Sequence, residues 1–271
     1  MEGEEYDYEA SLTKCAEHLA GAERVVVFTG AGISAESGID TFRSGGGLWT
    51  GMVGKVVLGI FGTPFGWKWL PQFAWSQYVD KFYNPIKNAV PNDGHKALVE
   101  LEEMFKGKFC IITQNVDGLH QKAGSDPSNV FEVHGTVKRS ICVKNRHVYE
   151  SFESEELPRT SPICKVDRCG STLRPDCVLF TESLPMDEWM NSEDGVNRLR
   201  QGDVLLIVGT SANVYPAAGL PKLAARRGAH LIDVNLEPTP FKQCQNYNFL
   251  GKGAGTSLPA LLAKLRGLKP M

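Results

Sequence analysis

The feature that most constrains the fold is a continuous apolar segment that runs directly into a glycine-rich turn. Residues 24–29 are predicted to form a strand buried on both faces, as is typical of a parallel sheet. The turn begins Gly30-Ala31-Gly32 and continues with residues that are compatible with a helix. A strand, a glycine turn and a helix in this order form a natural anion site, because glycine lets backbone N–H groups approach a phosphate.

The rest of the chain alternates strands and helices. Further strands are predicted at 109–113, 130–134, 204–209 and 230–235, and helices at 9–21, 94–105, 186–200, 217–226 and 257–267. This alternation predicts an α/β fold with a largely parallel sheet. Two regions break it: 45–85 is rich in glycine, proline and aromatic residues, and 138–177 holds four cysteines among many turn formers. We therefore expect one α/β domain with two insertions.

Composition excludes some classes of function. The 271 residues carry a formal charge of −2, so no basic excess indicates a nucleic-acid partner. No apolar segment approaches the roughly 18–20 residues that a membrane span requires, which predicts no membrane partner. The acidic amino terminus resembles neither a secretory signal nor an Arg-rich transit peptide, and seven cysteines indicate reduced thiols. We expect a cytoplasmic or nuclear protein, and a mitochondrial one is also compatible with the sequence. The sequence does not determine the oligomeric state, and a monomer is among the possibilities.

The glycine turn alone is an incomplete dinucleotide fingerprint. Ala35 occupies the third glycine position, and no acidic residue follows about 20 residues later to hold a ribose. The polar residues that crowd the same short segment are Ser34, Glu36, Ser37, Asp40, Thr41 and Arg43. Small hydroxyls can hold ribose and arginine can bind phosphate, so the segment favours a nucleotide site over a merely structural turn.

Six ordered segments together resemble the sirtuins, which are NAD-dependent protein deacylases. They are "GAGISAESGIDTFR" (30–43), "TQNVDGLH" (113–120), "HG" (134–135), "LRPDCVLFTESLP" (173–185), "GTSANVYPA" (209–217) and "NLEPTP" (235–240). The resemblance implies a single catalytic domain over 1–271. Its Rossmann-like large part would comprise about 1–44, 86–137 and 178–271, joined to a small lobe at 45–85 and a zinc-binding module at 138–177. NAD and acyl-lysine would meet in the cleft between them.

The resemblance also assigns an NAD site. Gly30, Ala31 and Gly32 would face the pyrophosphate, with Phe42 and Arg43 over the cofactor. Gln114 and Asn115 would contact the nicotinamide ribose and Asp117 the carboxamide; Gly209, Thr210 and Ser211 would hold phosphate and ribose; Asn235 and Glu237 would face the adenosine, with Ala254 near the adenine. Ser34, Thr41, Val116 and Leu236 complete the expected cofactor residues.

The catalytic residues expected from the resemblance are His134 and Asn115. The acyl carbonyl oxygen would attack C1′ of the nicotinamide ribose, and nicotinamide would leave. His134 would then activate a ribose hydroxyl, giving deacylated lysine and O-acyl-ADP-ribose. Independently of the family, a neutral histidine can take a proton from a sugar hydroxyl at physiological pH. The alternative is a packed core histidine, which the setting "FEVHG" disfavours.

The metal module departs from the family pattern. Structural zinc normally takes two close pairs of ligands. Cys164 and Cys169 form one pair, but the first pair reads Cys142-Val143-Lys144-Asn145, so asparagine stands where a fourth cysteine is expected. Three outcomes are open: His147 completes the site, water completes it beside three cysteines, or the metal is lost.

The substrate residues suggest an acidic acyl group. Sirtuins that remove succinyl, malonyl or glutaryl groups resemble one another in a Tyr-x-x-Arg motif, and the matching positions here are Tyr78 and Lys81. Lysine keeps the charge but loses the two-pronged grip of arginine. Thr41 also matches that branch, whereas an ordinary exposed helix face is the plain alternative for Tyr78 and Lys81.

Acetyl-lysine and long-chain acyl-lysine remain rival substrates. An acylated protein segment would lie extended along 177–183, against Val178 and Phe180. Two other classes compete: a mono-ADP-ribosyltransferase or NAD hydrolase that uses the same cofactor loop, and a non-catalytic NAD-sensing scaffold. The intact His134, Asn115 and Asp117 disfavour the scaffold.

Overall fold

The computed structural model describes residues 6–41, 59–150 and 157–269. Its strands are β1 (Val25–Thr29), β2 (Phe109–Thr113), β3 (Val130–Glu132), β4 (Gly135–Cys142), β5 (Val148–Glu150), β6 (Leu173–Cys177), β7 (Val204–Val208), β8 (His230–Val234) and β9 (Tyr247–Leu250). Its α-helices are α1 (Tyr8–Gly21), α2 (Pro64–Trp69), α3 (Pro71–Tyr78), α4 (Asn84–Asn88), α5 (Asp93–Met104), α6 (Leu119–Ala123), α7 (Met186–Asn197), α8 (Leu220–Arg226) and α9 (Ala254–Leu268). Short 3-10 segments span Ala31–Ser37, Pro127–Asn129, Ala217–Gly219 and Pro240–Gln243, and a π-helical turn, Val79–Tyr83, joins α3 to α4.

Six strands form one parallel sheet in the order β3-β2-β1-β7-β8-β9. From β1 the chain adds β2 and β3 on one side, and then β7, β8 and β9 on the other. The order of the strands therefore reverses between β1 and β7. In sheets of this kind, ligands bind in the crevice at the carboxyl ends of the strands where the order reverses. The predicted α/β fold with a parallel sheet is confirmed.

The apolar run in β1 is explained by two cores, one on each face of the sheet. Val25 and Val27 pack with helices α1, α5 and α9, whereas Val26 and Phe28 pack with α7 and α8. Because successive side chains of a strand point to opposite faces, a strand covered on both sides is apolar at nearly every position.

The two interrupting regions build separate structures. Strands β5, β4 and β6 form a three-stranded antiparallel sheet between residues 135 and 177. Helices α2 to α4 enclose an aromatic cluster in which Trp67 and Trp75 are fully buried, with ring centroids 6.4 Å apart. Both lie where the insertions were expected, and the exact lobe boundaries stay a prediction.

Several predicted elements end differently in the structure. The predicted strand at 130–134 stops at Glu132, which leaves His134 outside the ladder at the edge of the sheet. The predicted helix at 186–200 ends at Asn197, and the one at 217–226 starts as a 3-10 turn and becomes α-helical at Leu220. Strand β9 was not predicted. Within the described ranges, no helix is both long and apolar enough to cross a membrane.

Two histidines are enclosed beneath the carboxyl edge of the sheet. His95 on α5 is 0% exposed and His120 on α6 is 1% exposed, with ring centroids 5.1 Å apart. Nε2 of His120 lies 3.0 Å from Oγ1 of Thr29. Burial lowers the pKa of His95 to about 4 and that of His120 to about 3. Both side chains are therefore neutral in the folded protein.

This pair predicts a loss of stability as the pH falls below 6.5. The unfolded chain binds protons at the ordinary histidine pKa while the folded chain does not, so each histidine removes up to about 1.4 kcal/mol per pH unit. Glu132 has the opposite effect on the free energy of unfolding, which it raises as the pH falls from 7 to 4.5, because burial raises its pKa to about 7. The contribution of one histidine is therefore isolated by comparing a histidine variant with the parent.

We expect His95→Phe to flatten the dependence of unfolding free energy on pH between 5.0 and 6.5, measured by urea unfolding. Ile112→Val, which removes one buried methyl group and no titrating group, serves as the control. It should lower the free energy by about 1 kcal/mol at every pH without changing the slope. Equal slopes in the parent and His95→Phe would contradict this account.

Candidate active site

Polar residues from five chain segments meet at the carboxyl ends of the parallel strands. The segments begin at Gly30 after β1, Gln114 after β2, Gly209 after β7 and Asn235 after β8, and the fifth holds His134 just beyond β3. Parallel strands end on the same edge of a sheet, so the sequence positions that were predicted for the cofactor are brought to one crevice.

The turns after β1 and β7 touch through their backbones. The amide of Gly32 donates a hydrogen bond of 2.7 Å to the carbonyl of Gly209. A Cβ atom on Gly32 would lie 2.7 Å from Cα of Gly209, closer than real Cβ atoms come. Gly209 itself has φ of +60°, in the left-handed region that favours glycine. Both positions therefore require glycine, which leaves backbone at the surface of the crevice.

A chain of hydrogen bonds fixes the side chains next to this turn. The side-chain amide of Asn115 donates to the carbonyl of Gly30 and to Oγ of Ser34, each at 3.1 Å. Oγ of Ser34 donates to Asp117 at 2.8 Å. Asp117 also accepts from the amide of Leu119 at 2.9 Å, as expected for a residue that caps a helix.

Electrostatics at Asp117 follow from its enclosure. Burial raises the pKa of the Asp117 carboxyl above its ordinary value, and the hydrogen bonds from Leu119 and Ser34 oppose that rise. The carboxylate thus stands where it can accept one further hydrogen bond from a ligand such as a carboxamide.

His134 is held in one tautomer. Its Nδ1 lies 3.0 Å from the carbonyl oxygen of Gln114, and because a carbonyl only accepts, Nδ1 carries the proton. Nε2 is then the proton acceptor. Burial lowers the pKa of His134 below its ordinary value, and the hydrogen bond to Gln114 opposes this shift. At neutral pH the ring is uncharged and can act as a general base.

Gln114 is fixed as well. Its side-chain amide donates to Oγ1 of Thr210 at 2.9 Å and to the carbonyl of Thr29 at 3.2 Å. These bonds link the ends of β1, β2 and β7. Ser211 follows Thr210 and is half-buried.

The predicted substrate segment lies beside His134. The amide of Val178 donates to the carbonyl of His134 at 2.9 Å. Arg174, with a side chain 4% exposed, donates to both oxygens of Glu182 at 2.6 and 2.9 Å and to the carbonyl of Cys177 at 2.9 Å. This buried ion pair clamps the loop across its base.

The tip of that loop is strained. Thr181 has φ of +76°, where a β-branched residue is a true outlier. The neighbouring Phe180 is 54% exposed, and its amide donates to the carbonyl of Gly62 at 2.8 Å.

The predicted acyl-group residues are placed differently from each other. Tyr78 is 2% exposed and packs among Trp67, Trp75 and Tyr83, so it does not lie on an exposed helix face. Burial raises the pKa of its hydroxyl well above the ordinary value. Lys81, in the π-helical turn, is half-buried. The cluster around Tyr78 also includes residues from both sides of the crevice, namely Val116, Cys177 and Leu179.

The opposite end of the crevice is formed by the turn after β8 and the start of α9. Asn235 is half-buried, whereas Leu236 and Glu237 are exposed, and Ala254 is 3% exposed at the first position of α9. Glu36, in the 3-10 segment Ala31–Ser37 after β1, accepts a hydrogen bond of 3.0 Å from the backbone amide of Gly255. A carboxylate at a helix N-terminus is stabilised by the unpaired N–H groups there, so it ties the loop to α9.

Four residues at one end of β4 and in the segments between the strands of the second sheet form a group that could hold a metal ion. The ligand atoms of Cys142, His147, Cys164 and Cys169 all lie within 4.8 Å of one another. Sγ of Cys142 is 3.6 Å from Sγ of Cys169, and Nδ1 of His147 is 3.8 Å from Sγ of Cys142 and 3.2 Å from Sγ of Cys164. A tetrahedral zinc ion with bonds of about 2.0–2.3 Å spaces its ligands by roughly 3.3–3.8 Å. The four side chains therefore fit zinc.

Asn145 lies beside this group but does not join it. Its backbone amide donates to Sγ of Cys142 at 3.1 Å, and its side-chain amide donates to Sγ of Cys169 at 3.4 Å. Donors directed at sulfur favour the thiolate form that binds metal. Burial opposes ionisation of Cys164, but hydrogen bonds from Tyr149 and His147 outweigh it and lower the pKa of that thiol to about 6.

Sequence reasoning missed some of the residues that shape the site. Asn92 donates to the carbonyl of Ile33 at 2.7 Å and to Oγ of Ser37 at 3.0 Å while its oxygen caps α5. An asparagine just before a predicted helix was the available signal. Asp233, a charged residue within an apolar strand, was another. Phe42 and Arg43, predicted to cover the cofactor, lie outside the described residues, and Thr41 is the last residue described before them.

Comparison with known proteins adds a further line of evidence. The sequence model of the Sir2 family matches residues 30–216. NAD-dependent protein deacylase 2 from Pyrobaculum aerophilum is 42% identical over 252 residues, which cover 93% of this chain and 94% of that protein. A solved Sir2 homologue in complex with NAD is 35% identical, with a TM-score of 0.81 over 98% of this chain and 96% of that one. A solved complex of Sir2 with a p53 peptide and NAD+ is 31% identical, with a TM-score of 0.75 over 92% and 96%.

The metal group predicts a defined zinc content. Protein purified without chelator should contain one zinc ion per chain by elemental analysis. His147→Ala should weaken zinc binding, measured by chelator competition, by more than about 100-fold. That exceeds the loss of about 10–100-fold that follows removal of an outer hydrogen-bond partner. Asn145→Ala is the matched control and should keep zinc at one per chain. Equal affinities in the parent and His147→Ala would show that His147 is not a ligand.

Proposed function

Because this chain belongs to the Sir2 family, we propose that it is an NAD-dependent protein lysine deacylase that forms nicotinamide, deacylated lysine and O-acyl-ADP-ribose. The observation that carries the proposal is the fixed tautomer of His134 at the carboxyl edge of the sheet. Its unprotonated Nε2 is the one requirement of this chemistry that a nucleotide-binding fold does not supply by itself.

NAD would lie across the crevice between β1 and β7. The bare backbone around Gly32 and Gly209 lets a pyrophosphate approach the main chain without intervening side chains. Gln114 and Asn115 then stand on the β2 side for the nicotinamide ribose, with Asp117 for the carboxamide. Asn235 stands on the β8 side for the adenosine. NAD supplies an electrophilic ribose carbon once nicotinamide departs.

The residues of the chain would position the ribose of the nucleotide and deprotonate one of its hydroxyl groups. Asn115 spends both of its amide protons on Gly30 and Ser34, so its carbonyl oxygen is the group left to orient a ligand hydroxyl. His134 takes a proton from a ribose hydroxyl at Nε2, and the Gln114 carbonyl stabilises the resulting imidazolium through Nδ1. Base catalysis of this kind contributes about 10²–10⁴-fold.

The acylated lysine would enter beside Val178, whose amide is tied to His134. A protein segment in extended form would add main-chain hydrogen bonds along 177–183. The ion pair of Arg174 with Glu182 keeps this loop in place while the segment binds. Zinc, held by Cys142, His147, Cys164 and Cys169, would stabilise the second sheet and take no part in the reaction.

We propose acidic acyl groups as the preferred substrates. Tyr78 is buried within the apolar cluster, and Lys81 is the half-buried cation three residues further on. A lysine of restricted hydration can form a charge-assisted hydrogen bond with a terminal carboxylate, which a neutral acetyl or alkyl chain cannot offer.

We also propose a cytoplasmic or nuclear setting, for which seven cysteines outside any disulfide are typical.

His134→Tyr tests the assignment of the base. We expect the variant to fold, with a melting temperature near that of the parent, and to lose about 10²–10⁴-fold in deacylation because a neutral phenol hydroxyl cannot serve as the base in place of Nε2. The measurement is mass spectrometry of O-acyl-ADP-ribose. His18→Gln is the control, since His18 stacks at 3.8 Å on His230 at the opposite end of β8. Transfer of ADP-ribose to protein, or free ADP-ribose without deacylation, would favour the transferase or hydrolase instead.

The acyl preference is tested with matched succinyl-, acetyl- and myristoyl-lysine peptides at saturating NAD. The parent should have the highest kcat/KM on the succinyl peptide, and Lys81→Met should lower that value by about tenfold through loss of a charge-assisted contact. Lys81→Arg should retain it. Lys87→Met, which removes an exposed lysine on α4, is the control. An acetyl preference that Lys81→Met leaves unchanged would exclude an acidic substrate.

A further inference from the structure

We propose that Asp233 is a positioning residue that turns the amide of Asn235 so that the site accepts an unmodified ribose and rejects a phosphorylated one. The proposal deepens the proposed function, on which it rests, because it concerns the choice between NAD and NADP. It assigns a role to a buried charge that the reaction itself does not use.

Asp233 is 0% exposed within β8, a strand that is otherwise apolar after its first residue. A carboxylate in such a place requires donors on both oxygens. Oδ2 accepts from the hydroxyl of Tyr247 at 2.5 Å and from the amide of Thr239 at 2.8 Å, and Oδ1 accepts from the side-chain amide of Asn235. All three donors come from segments that follow β8 in the chain.

The contact with Asp233 decides which way the amide of Asn235 points. A carboxylate accepts hydrogen bonds and donates none, so the NH₂ group of Asn235 has to face it. The carbonyl oxygen of Asn235 is thereby turned away from Asp233. Asn235 is half-buried, so this end of the side chain presents an acceptor at the surface of the turn.

That acceptor stands at the nucleotide crevice. Asn235 directly follows β8, and the amide of Gly209 donates to the carbonyl of Val234 at 3.0 Å. The last residue of β8 is thus hydrogen-bonded to the turn that closes against Gly32, and Asn235 follows it directly. In the proposed binding mode this is the adenosine side, on which the ribose carries hydroxyl groups that can donate.

The chemistry of an acceptor at this position is selective. A ribose hydroxyl donates to the Asn235 oxygen, whereas a 2′-phosphate at neutral pH offers acceptors and negative charge. A fixed acceptor with a carboxylate behind it opposes such a group. A freely rotating asparagine could instead present its NH₂ group to phosphate. Discrimination therefore requires Asp233 to hold the amide.

A purely structural role for Asp233 makes a different prediction. The bonds to Tyr247 and Thr239 join β8 to β9 and to the following turn, and losing them would lower stability without favouring either nucleotide. The ratio of kcat/KM for NAD to kcat/KM for NADP separates the two roles. A uniform loosening of the turn would change the KM values for both nucleotides together and leave this ratio unchanged.

The experiment measures KM for NAD and NADP on one acyl-lysine peptide, with melting temperatures as the check on folding. The variants are Asp233→Asn, Asn235→Leu and the double variant, with Tyr247→Phe as the control that removes a donor to Asp233 without touching Asn235. In the parent, NAD should be strongly preferred. Asp233→Asn should lower the ratio of kcat/KM for NAD to that for NADP by about tenfold, with the KM of the peptide unchanged.

The double variant completes a cycle. If Asp233 acts through Asn235, adding Asp233→Asn to Asn235→Leu should change the ratio by less than about twofold. Tyr247→Phe should lower the melting temperature and leave the ratio within the same limit. A ratio unchanged in Asp233→Asn, or an equal shift in the Asn235→Leu background, overturns the proposal while leaving the deacylase function standing. A parent that uses neither nucleotide overturns both.

Discussion

The backbone of Gly32 lies against the backbone of Gly209, and the arrangement of the crevice depends on this contact. Any side chain at Gly32 would collide with the turn after β7 at 2.7 Å. The two turns leave neighbouring strands from which the chain departs in opposite directions. Only there can two stretches of main chain face one ligand without intervening side chains. The other candidate site residues follow the carboxyl ends of the neighbouring strands β2, β3 and β8.

Hydrogen bonds to the backbone also fix the side chains that are proposed to react. The side-chain amide of Asn115 donates to the carbonyl of Gly30, and Nδ1 of His134 donates to the carbonyl of Gln114. Each bond adds only about 1 kcal/mol to stability, but each also removes a rotamer or a tautomer that would be unproductive. The site is therefore organised before a ligand arrives, which is how dipoles and bases contribute most to catalysis.

Several buried polar groups lie at or near the ends of strands in this fold. Thr29 and Thr113 are the last residues of β1 and β2, and their hydroxyls bond to each other at 2.8 Å beneath the turns. Asp233 is the penultimate residue of β8 and Arg174 the second residue of β6, and each fixes a loop that follows its strand. Since an unpaired buried polar group is costly, these residues specify loop geometry more sharply than apolar packing does.

Sequence by itself determined the class of fold and the positions along the chain that carry chemistry. The run from Val25 to Phe28 is apolar at successive positions, which is typical of a strand covered on both faces, and the ordered motifs placed His134 and Asn115 beside such strands. Tertiary structure decided what local pattern cannot encode. It placed the imidazole of His147 within ligand distance of three cysteine sulfurs and left Asn145 as a hydrogen-bond donor beside them. It also buried Tyr78 and brought the side chain of Asp233 to that of Asn235. Periodicity reports which face of an element is apolar, whereas the direction of one side chain is set by neighbours that arrive from distant parts of the chain.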